Sequence, residues 1–215
     1  MLVATLFGQF SVQLHGQTIQ IASRPAQVLL AYLLLYTDAT HRRDYLAGLL
    51  WPDSLESSAR KNLRNTVWQL RKTLPDDYLL VDHETVAFNT ALPYEVDVAR
   101  FADPTAVSDP EALITAVSHY KGNLLPGYYE EWIQQERTQL DGLYARRLQT
   151  LLEQLSAAGR WREIPAWAER WLSHDPAAEP AYRALMLTDA ILGNQAGVAA
   201  AYRRCEQTLR AELSL

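Results

Sequence analysis

One stretch, residues 54–74 (SLESSARKNLRNTVWQLRKTL), constrains the fold of this chain more than any other. Apolar side chains recur there every three or four positions, and this spacing predicts a single amphipathic helix with one buried face. The apolar face consists of Leu55, Ala59, Leu63, Val67, Leu70 and Leu74. At about 100° per residue, the opposite face holds Lys61, Asn65, Trp68 and Lys72, and one flank holds Arg60, Arg64 and Arg71.

The charge of this helix is opposite to that of the whole chain. Residues 57–75 contain five Lys or Arg residues and no Asp or Glu, whereas the chain has a net charge of −5. The imbalance extends further, since residues 1–75 carry a net charge of +4 and residues 76–215 a net charge of −9. A local excess of positive charge predicts an anionic partner such as nucleic acid. The asymmetry predicts two modules with different partners.

The composition limits the class of protein. A chain of 215 residues forms one or two domains, and its longest apolar run, residues 28–36, is much shorter than the ~20 residues that a membrane-spanning helix needs. The first residues show no export signal. The single cysteine, Cys205, is typical of a reducing compartment. We therefore expect a cytoplasmic protein that does not contact membranes.

Turn residues divide the first half into short strands and helices. Gly8 interrupts a β-rich segment, and Ser23 with Pro25 marks the start of an apolar helix. The expected elements are strands 2–14 and 18–21, helices 23–36, 41–50 and 54–74, and strands 78–81 and 85–88. Strands, three helices and a terminal hairpin are the order of a winged helix-turn-helix. In that fold the third helix enters the DNA major groove and the hairpin is the wing.

A repeat organises the second half. Gly159 and Gly193 lie 34 residues apart, each between two helical segments, and this is the period of tetratricopeptide repeats. The expected helices span residues 111–119, 128–154, 163–172, 181–192 and 197–213. We therefore predict a mainly α protein: a winged helix-turn-helix (α+β) over residues 1–92, a linker over 93–110 and an all-α repeat domain over 111–215.

Several motifs resemble the Streptomyces antibiotic regulatory protein family. They are Leu-Trp-Pro at 50–52, Ala-Arg-Lys-Asn-Leu-Arg at 59–64 and Leu-Arg-Lys-Thr-Leu at 70–74, with LFGQFSVQLHG and VDVARF as further landmarks. The segment YKGNLLPGYYEEWIQQER resembles the bacterial transcriptional activation domain of the same family. The resemblance covers essentially the whole chain. It implies an OmpR-like winged helix followed by a helical activation domain with a tetratricopeptide-like fold.

The resemblance implies a transcriptional activator located with the bacterial nucleoid. Members of the family bind direct repeats in promoter DNA and help to recruit RNA polymerase. The helical domain is expected to aid that contact or to mediate self-association on repeated half-sites. The larger members add an ATPase and more repeats, so the natural protein is expected to continue beyond this chain.

Side-chain chemistry suggests roles within the predicted interface. Arg forms bidentate hydrogen bonds with guanine and Asn with adenine, so Arg64 and Asn65 are the candidates for base recognition. Lys61 and Lys72 are flexible point charges that suit phosphates. Which arginine reads a base and which holds a phosphate stays open. Trp68 either contacts the partner or packs against the wing.

Other residues extend the predicted interface to its edges. The candidates beside the groove are Arg42 and Arg43, at the start of the second helix, where the helix dipole and the charge both favour a phosphate. The wing departs from the family because residues 76–89 hold Asp76, Asp77, Asp82 and Glu84, and His83 is the only potential cation. We therefore expect weak wing contact, offset by pairing of several copies on repeated sites.

Two other classes of function stay open at this point. In the first, the chain is a repeat-type interaction or adaptor module whose winged helix has lost DNA affinity, and the acidic wing favours it. In the second it is an enzyme, but no phosphate loop, nucleophile elbow or metal-ligand spacing is present, so we expect no catalysis, metal or cofactor.

Aromatic residues of the second half are expected to pack, with Trp161, Trp167 and Trp171 in the repeat core. Tyr128, Tyr129 and Trp132 are expected to join the two modules.

Overall fold

A computed structural model describes residues 1–212 of the chain. The backbone divides into two compact units. Unit 1 comprises residues 1–101 and 119–137, and unit 2 comprises residues 102–118 and those from 138 onward. No helix among residues 1–212 is long and apolar enough to cross a membrane.

Unit 1 begins with a four-stranded sheet. Its strands are β1 (Leu2–Thr5), β2 (Ser11–Leu14), β3 (Gln17–Ile19) and β7 (Tyr94–Val96), in the order β3-β2-β1-β7. The predicted strand over residues 2–14 is two strands in the structure. The chain turns at Gly8, whose φ of +71° lies in the left-handed region that glycine adopts without strain. The strands β1, β2 and β3 run antiparallel, whereas β7 runs parallel to β1.

Three helices and a second sheet complete the winged helix-turn-helix. The elements are α1 (Arg24–Leu35), β4 (His41–Arg42), α2 (Arg43–Leu50), α3 (Glu56–Thr73), β5 (Leu79–Val81) and β6 (Thr85–Phe88). Helix α1 is buried nearly all round, as its continuous apolar sequence predicts. The hairpin of β5 and β6 is the wing, and β4 pairs with β6 to give the order β4-β6-β5. The predicted fold class is confirmed for this unit.

The segment expected to be a linker, residues 93–110, is largely structured. Its first part forms β7 and the helix α4 (Asp97–Ala102) within unit 1. The carboxylate of Asp97 accepts hydrogen bonds from the backbone N–H groups of Leu6 (2.9 Å) and Phe7 (2.9 Å). Burial raises the pKa of this carboxyl, and these hydrogen bonds oppose the increase. The partners lie about ninety residues apart in sequence, so local pattern could not show them.

Residues 119–137 also belong to unit 1. Leu124 forms a β-bridge with Phe7, and the N–H of Leu125 donates to the carbonyl of Leu6 at 2.9 Å. The guanidinium of Arg137 donates to the carbonyls of Leu124 (2.6 Å), Leu125 and Tyr128 (2.8 Å). One arginine therefore fixes three carbonyl groups of the loop that precedes it.

The aromatic residues of this segment differ in what they contact. The ring of Trp132 is buried and packs edge-on against Tyr32 of α1, with centroids 5.2 Å apart. Tyr128 donates a hydrogen bond to the side chain of Gln27, whereas Tyr129 is 75% exposed. Two of the three residues expected to join the modules thus pack inside unit 1.

Unit 2 consists of packed helices and has the predicted repeat character. Its elements are a short 3-10 helix (Pro104–Val107), α5 (Pro110–His119), most of α6 (Glu131–Ala157), α7 (Ile164–His174), α8 (Glu179–Ile191) and α9 (Gln195–Glu212). Gly159 and Gly193 each follow a helix with positive φ, at +69° and +76°. Trp171 is buried, as predicted, whereas Trp161 and Trp167 are only half-buried. The predicted end of the last helix at Leu213 lies outside the described residues.

Candidate nucleic-acid interface

Helix α3 forms where the apolar spacing predicts, and both its first and its last residue lie within two residues of the expected limits. Its buried face consists of Ala59, Leu63, Thr66, Val67 and Leu70. Glu56 lies in the first turn and Arg71 and Lys72 in the last, an arrangement that complements the helix dipole. The prediction for Leu55 was wrong. This residue precedes the first helical turn and is 79% exposed, because the helix begins at Glu56.

The solvent face of α3 carries cations that nothing in the described chain neutralises. Lys61, Arg64 and Asn65 are exposed. None of the three forms a hydrogen bond or an ion pair with any of residues 1–212. These three side chains therefore retain their full capacity to donate hydrogen bonds to an external anion.

Arg60 differs from its neighbours because acidic side chains hold it. Its Nε donates to the Asp44 carboxylate at 2.8 Å, and its Nη2 donates to Glu56 at 2.5 Å. Asp44 belongs to α2, and Glu56 lies one helical turn before Arg60 in α3. The predicted interface therefore contains two carboxylates that the apolar pattern did not place there.

The last two turns of α3 carry a stacked aromatic and lysine pair. Trp68 is 57% exposed, and the Nζ of Lys72 lies 3.8 Å from the centroid of the indole ring. The two residues are four positions apart on the exposed face, so the cation lies over the ring in a cation–π arrangement. The side chain of Arg71 lies on the neighbouring flank and is also exposed. Of the two expectations for Trp68, exposure on the interface fits the structure and burial against the wing does not.

Arg42 and Arg43, at the start of α2, are both connected to the wing. Arg42 is exposed and lies in β4, which pairs with the wing strand β6. The Nη1 of Arg43 donates to the carbonyl of Asp82 at 3.0 Å, and its backbone N–H donates to the carbonyl of Glu84 at 2.9 Å. The wing turn is thereby attached to the first residue of α2.

The wing turn owes its shape to one carboxylate. Asp82 accepts hydrogen bonds from the backbone N–H groups of Thr85 (2.6 Å) and Glu84 (2.7 Å), and from the hydroxyl of Thr85 (2.9 Å). These bonds, led by the one from the N–H of Thr85, lower the pKa of Asp82 below its ordinary value. The carboxylate is therefore ionised at neutral pH and adds negative charge beside the exposed residues His83 and Glu84.

An open depression of about 510 Å³ lies where α2, α3 and the wing turn meet. It is lined by Arg43, Asp44, Arg60, Leu63, Arg64 and His83. The structure thus brings three predicted site residues, Arg43, Arg60 and Arg64, to one concave surface. Trp68 and Lys72 line a different depression, of about 300 Å³, which faces residues 20–26.

Two ion pairs in this region were not predicted from the sequence. The Glu56–Arg60 ion pair has the spacing of four residues that links side chains on one face of a helix, so its signal was present in the sequence. The contact of Asp44 with Arg60 depends on how α2 crosses α3, and no local pattern shows it. Among residues 1–212, no cluster of three or more His, Cys, Asp or Glu side chains could hold a metal ion.

Comparisons with known proteins bear on the second half of the chain and on the fold as a whole. Residues 96–215 match the family model of the bacterial transcriptional activator domain. The whole fold is similar to that of Mycobacterium tuberculosis EmbR in complex with a low affinity phosphopeptide, with a TM-score of 0.82 and 21% sequence identity. That match covers 100% of this chain and 61% of the EmbR chain, so the present chain spans about 61% of its length. No curated protein matches the sequence.

Proposed function

The chain belongs to the bacterial transcriptional activator domain family, and from that premise we propose that it is a sequence-specific activator that binds promoter DNA through α3. In this proposal α3 lies in the major groove and the wing lies beside the duplex, as in other winged helix-turn-helix proteins. The family match and the shared fold support a regulator of the Streptomyces antibiotic regulatory protein type.

One observation carries the proposal. The exposed face of α3 presents Lys61, Arg64 and Asn65 without a partner among residues 1–212, in a chain whose net charge is −5. Exposed cations on an ordinary helix are normally balanced by acids three or four residues away, because such pairs stabilise the helix. Here the face lies at the recognition position of a DNA-binding fold. An anionic duplex is the partner whose charge and shape fit that position.

The chemistry of each side chain assigns its contact. We place Asn65 and an arginine of the flank on base edges, Lys61 and Lys72 on phosphates, and Arg42 and Arg43 on the backbone beside the groove. Trp68 supports Lys72 through their cation–π contact. Arg71 lies on the same flank as Arg60 and Arg64 and is the remaining residue of the proposed DNA interface.

The helical part of the chain would connect the bound promoter to transcription. The family description names a transcriptional activator domain, and contact with RNA polymerase or with a second copy would provide that role. Cooperative binding of copies on direct repeats would raise the affinity of an interface in which the acidic wing contributes little. The proposed location is the cytoplasm, on nucleoid DNA.

Salt dependence of binding tests the central claim. The full chain is used to select duplexes from a random-sequence library, and the affinity for a selected duplex is measured by fluorescence anisotropy between about 50 mM and about 200 mM salt. A protein that neutralises six or more phosphates loses about 1000-fold in affinity over that range. A chain that binds no duplex even at the lowest salt contradicts the proposal and leaves the adaptor function as the better account.

Paired variants localise the interface. Lys61→Ala combined with Arg64→Ala removes two cations from α3, and we expect at least a ~100-fold loss of affinity. Arg162→Ala combined with Arg183→Ala is the matched control, because both arginines are exposed, lie in unit 2 and change the net charge equally. Equal losses in the two double variants would show that total charge, and not α3, determines binding. Circular dichroism checks that the helical content is unchanged.

A further inference from the structure

Two acidic side chains hold one arginine of the candidate interface in place. Arg60 donates from Nε to Asp44 at 2.8 Å and from Nη2 to Glu56 at 2.5 Å. Glu56 is the first residue of α3, and Asp44 is the second residue of α2. Because the two acceptors come from different helices, the two ion pairs restrict the orientation of the Arg60 guanidinium relative to both.

Arg64 provides a contrast one helical turn further along the same flank. It lines the same depression as Arg60 but has no partner among residues 1–212. A free arginine loses side-chain entropy when it binds, whereas an arginine that is already held loses less. Arg60 therefore loses less side-chain entropy than Arg64 when it binds, although both side chains are exposed.

The difference matters because the two kinds of DNA contact have different geometric demands. A phosphate accepts hydrogen bonds from many directions, so a mobile cation binds it well. Guanine presents two acceptors, O6 and N7, in a fixed plane, and a planar guanidinium matches them only in one orientation. Arg60 has five N–H donors, and the two ion pairs leave the donors of Nη1 and one donor of Nη2 free for such a pair.

We propose that Arg60, held by Asp44 and Glu56, recognises a guanine base in the DNA site, and that the two acids are positioning residues. This inference rests on the proposed function, because it names the base that the same surface recognises. Arg64, which lacks a partner, then contacts a phosphate or a base through a less ordered side chain.

Electrostatics and positioning predict opposite results when an acid is neutralised. A carboxylate beside DNA repels the duplex, so its loss raises the affinity for every sequence. A carboxylate that orients Arg60 instead supports recognition, so its loss lowers the affinity for the specific site alone. The ratio of specific to non-specific affinity therefore separates the two roles, and simple charge repulsion cannot lower that ratio.

The experiment uses the full chain, a duplex selected from a random-sequence library with the wild-type protein, and a scrambled duplex of equal length and composition. We expect Asp44→Asn and Glu56→Gln each to lower the affinity for the selected duplex by about 5-fold. Their affinity for the scrambled duplex stays equal or rises. Arg60→Lys keeps the charge but loses the planar fork, so we expect a loss of about 10-fold and a relaxed preference at one G·C pair.

Asp53→Asn is the matched control. Asp53 is exposed in the turn between α2 and α3 and forms no hydrogen bond or ion pair with any of residues 1–212. Its neutralisation should raise the affinity for both duplexes by the same factor. If Asp44→Asn behaves like this control, the acid only repels DNA and the proposal is overturned.

Two further outcomes are distinguishable. Failure of the wild-type chain to bind either duplex at about 50 mM salt contradicts the proposed function, whereas binding with an unchanged ratio in the Asp44 and Glu56 variants contradicts only the role of Arg60. The side chains of Asp44 and Glu56 are 53% and 76% exposed, and their replacement leaves the buried core unchanged. Because Glu56→Gln alters only the more exposed acid, it decides the question if Asp44→Asn does not fold.

Discussion

Helix α3 and the wing are neighbours in unit 1, yet they differ in almost every property that matters for binding DNA. The helix carries its cations outward and buries Ala59, Leu63, Thr66, Val67 and Leu70. The wing turn exposes Asp82, His83 and Glu84, so its surface is acidic. The same fold position that usually adds a second DNA contact is here electrostatically unfavourable for one.

The difference indicates that the wing has a structural purpose that does not depend on DNA. Asp82 uses its carboxylate to close the turn and its carbonyl to accept from Arg43 at the start of α2. Strand β6 pairs with β4, which leads into the same helix. The wing thus supports the position of α2, and α3 provides the positive charge of the proposed DNA interface.

The largest expected difference between the two regions is in stability. Leu70 of α3 is 0% exposed, whereas Leu80 of the wing is 52% exposed. We expect Leu70→Ala to lower the free energy of unfolding by about 2–5 kcal/mol, because it leaves a cavity in the core. Leu80→Ala should change it by less than about 0.5 kcal/mol. Urea denaturation measures both, and similar values would show that the helix and the wing are anchored equally.

Recharging the wing tests whether its acidity limits binding. We expect Glu84→Lys combined with His83→Lys to raise the affinity for DNA by about 10-fold. The plot of log affinity against log salt concentration should also become steeper, because binding then releases up to about two more counterions. Neither side chain shapes the turn, because the carboxylate of Asp82 does so. Anisotropy titrations at several salt concentrations provide the measurement. An unchanged affinity would show that the wing does not approach the duplex.

A smaller effect is expected within the helix at the Trp68–Lys72 pair. An exposed cation–π contact contributes about 0.5–1 kcal/mol, so Trp68→Leu should weaken DNA binding by about 2- to 5-fold if the ring orients Lys72 toward a phosphate. The same change in a Lys72→Met background should then have no further effect. Equal losses in both backgrounds would mean that the indole itself touches the DNA.

The smallest effect concerns pH and belongs to the wing alone. Hydrogen bonds from Thr85 and Glu84 lower the pKa of Asp82, so this carboxylate stabilises the folded turn above the ordinary Asp pKa of about 4. The stabilisation is lost as the pH falls through the lower pKa of the folded state.

Amide chemical shifts of Glu84 and Thr85 report this titration by nuclear magnetic resonance. Both should change with a midpoint below the ordinary Asp value, and Asp82→Asn should abolish the change. A midpoint at or above the ordinary value would indicate that the two amides do not donate to Asp82 in solution.

The comparison also shows what sequence alone could reveal. The limits of α3 were predictable within two residues because apolar periodicity and the following proline are local signals. The hairpin of the wing was predictable for the same reason. Leu55 was misplaced because periodicity does not show at which residue the first turn begins, and helix ends are where such patterns are weakest.

Long-range contacts explain the features that the sequence did not predict. Strand β7 was missed because its partner β1 lies at the other end of unit 1, and a parallel pair needs no local turn. The ion pair of Arg60 with Asp44 depends on the packing of two helices, so sequence identified Arg60 as a candidate but not its orientation. Residue types were therefore predictable at the candidate site, whereas their mutual arrangement was not.

The contacts of Leu6 and Phe7, which follow β1, with residues 119–137 have a consequence for synthesis of the protein. Phe7 bridges to Leu124, Leu6 accepts from Leu125, and Arg137 fixes the intervening loop. On the ribosome, α3 and the wing emerge long before these partners exist, and contacts between distant residues form slowly because a long loop must close. The segment that follows β1 therefore lacks these partners until residues near 137 have been synthesised. A ribosome that stalls after β7 but before residue 119 releases a chain that contains all four strands of the sheet but not the segment that pairs with Leu6 and Phe7.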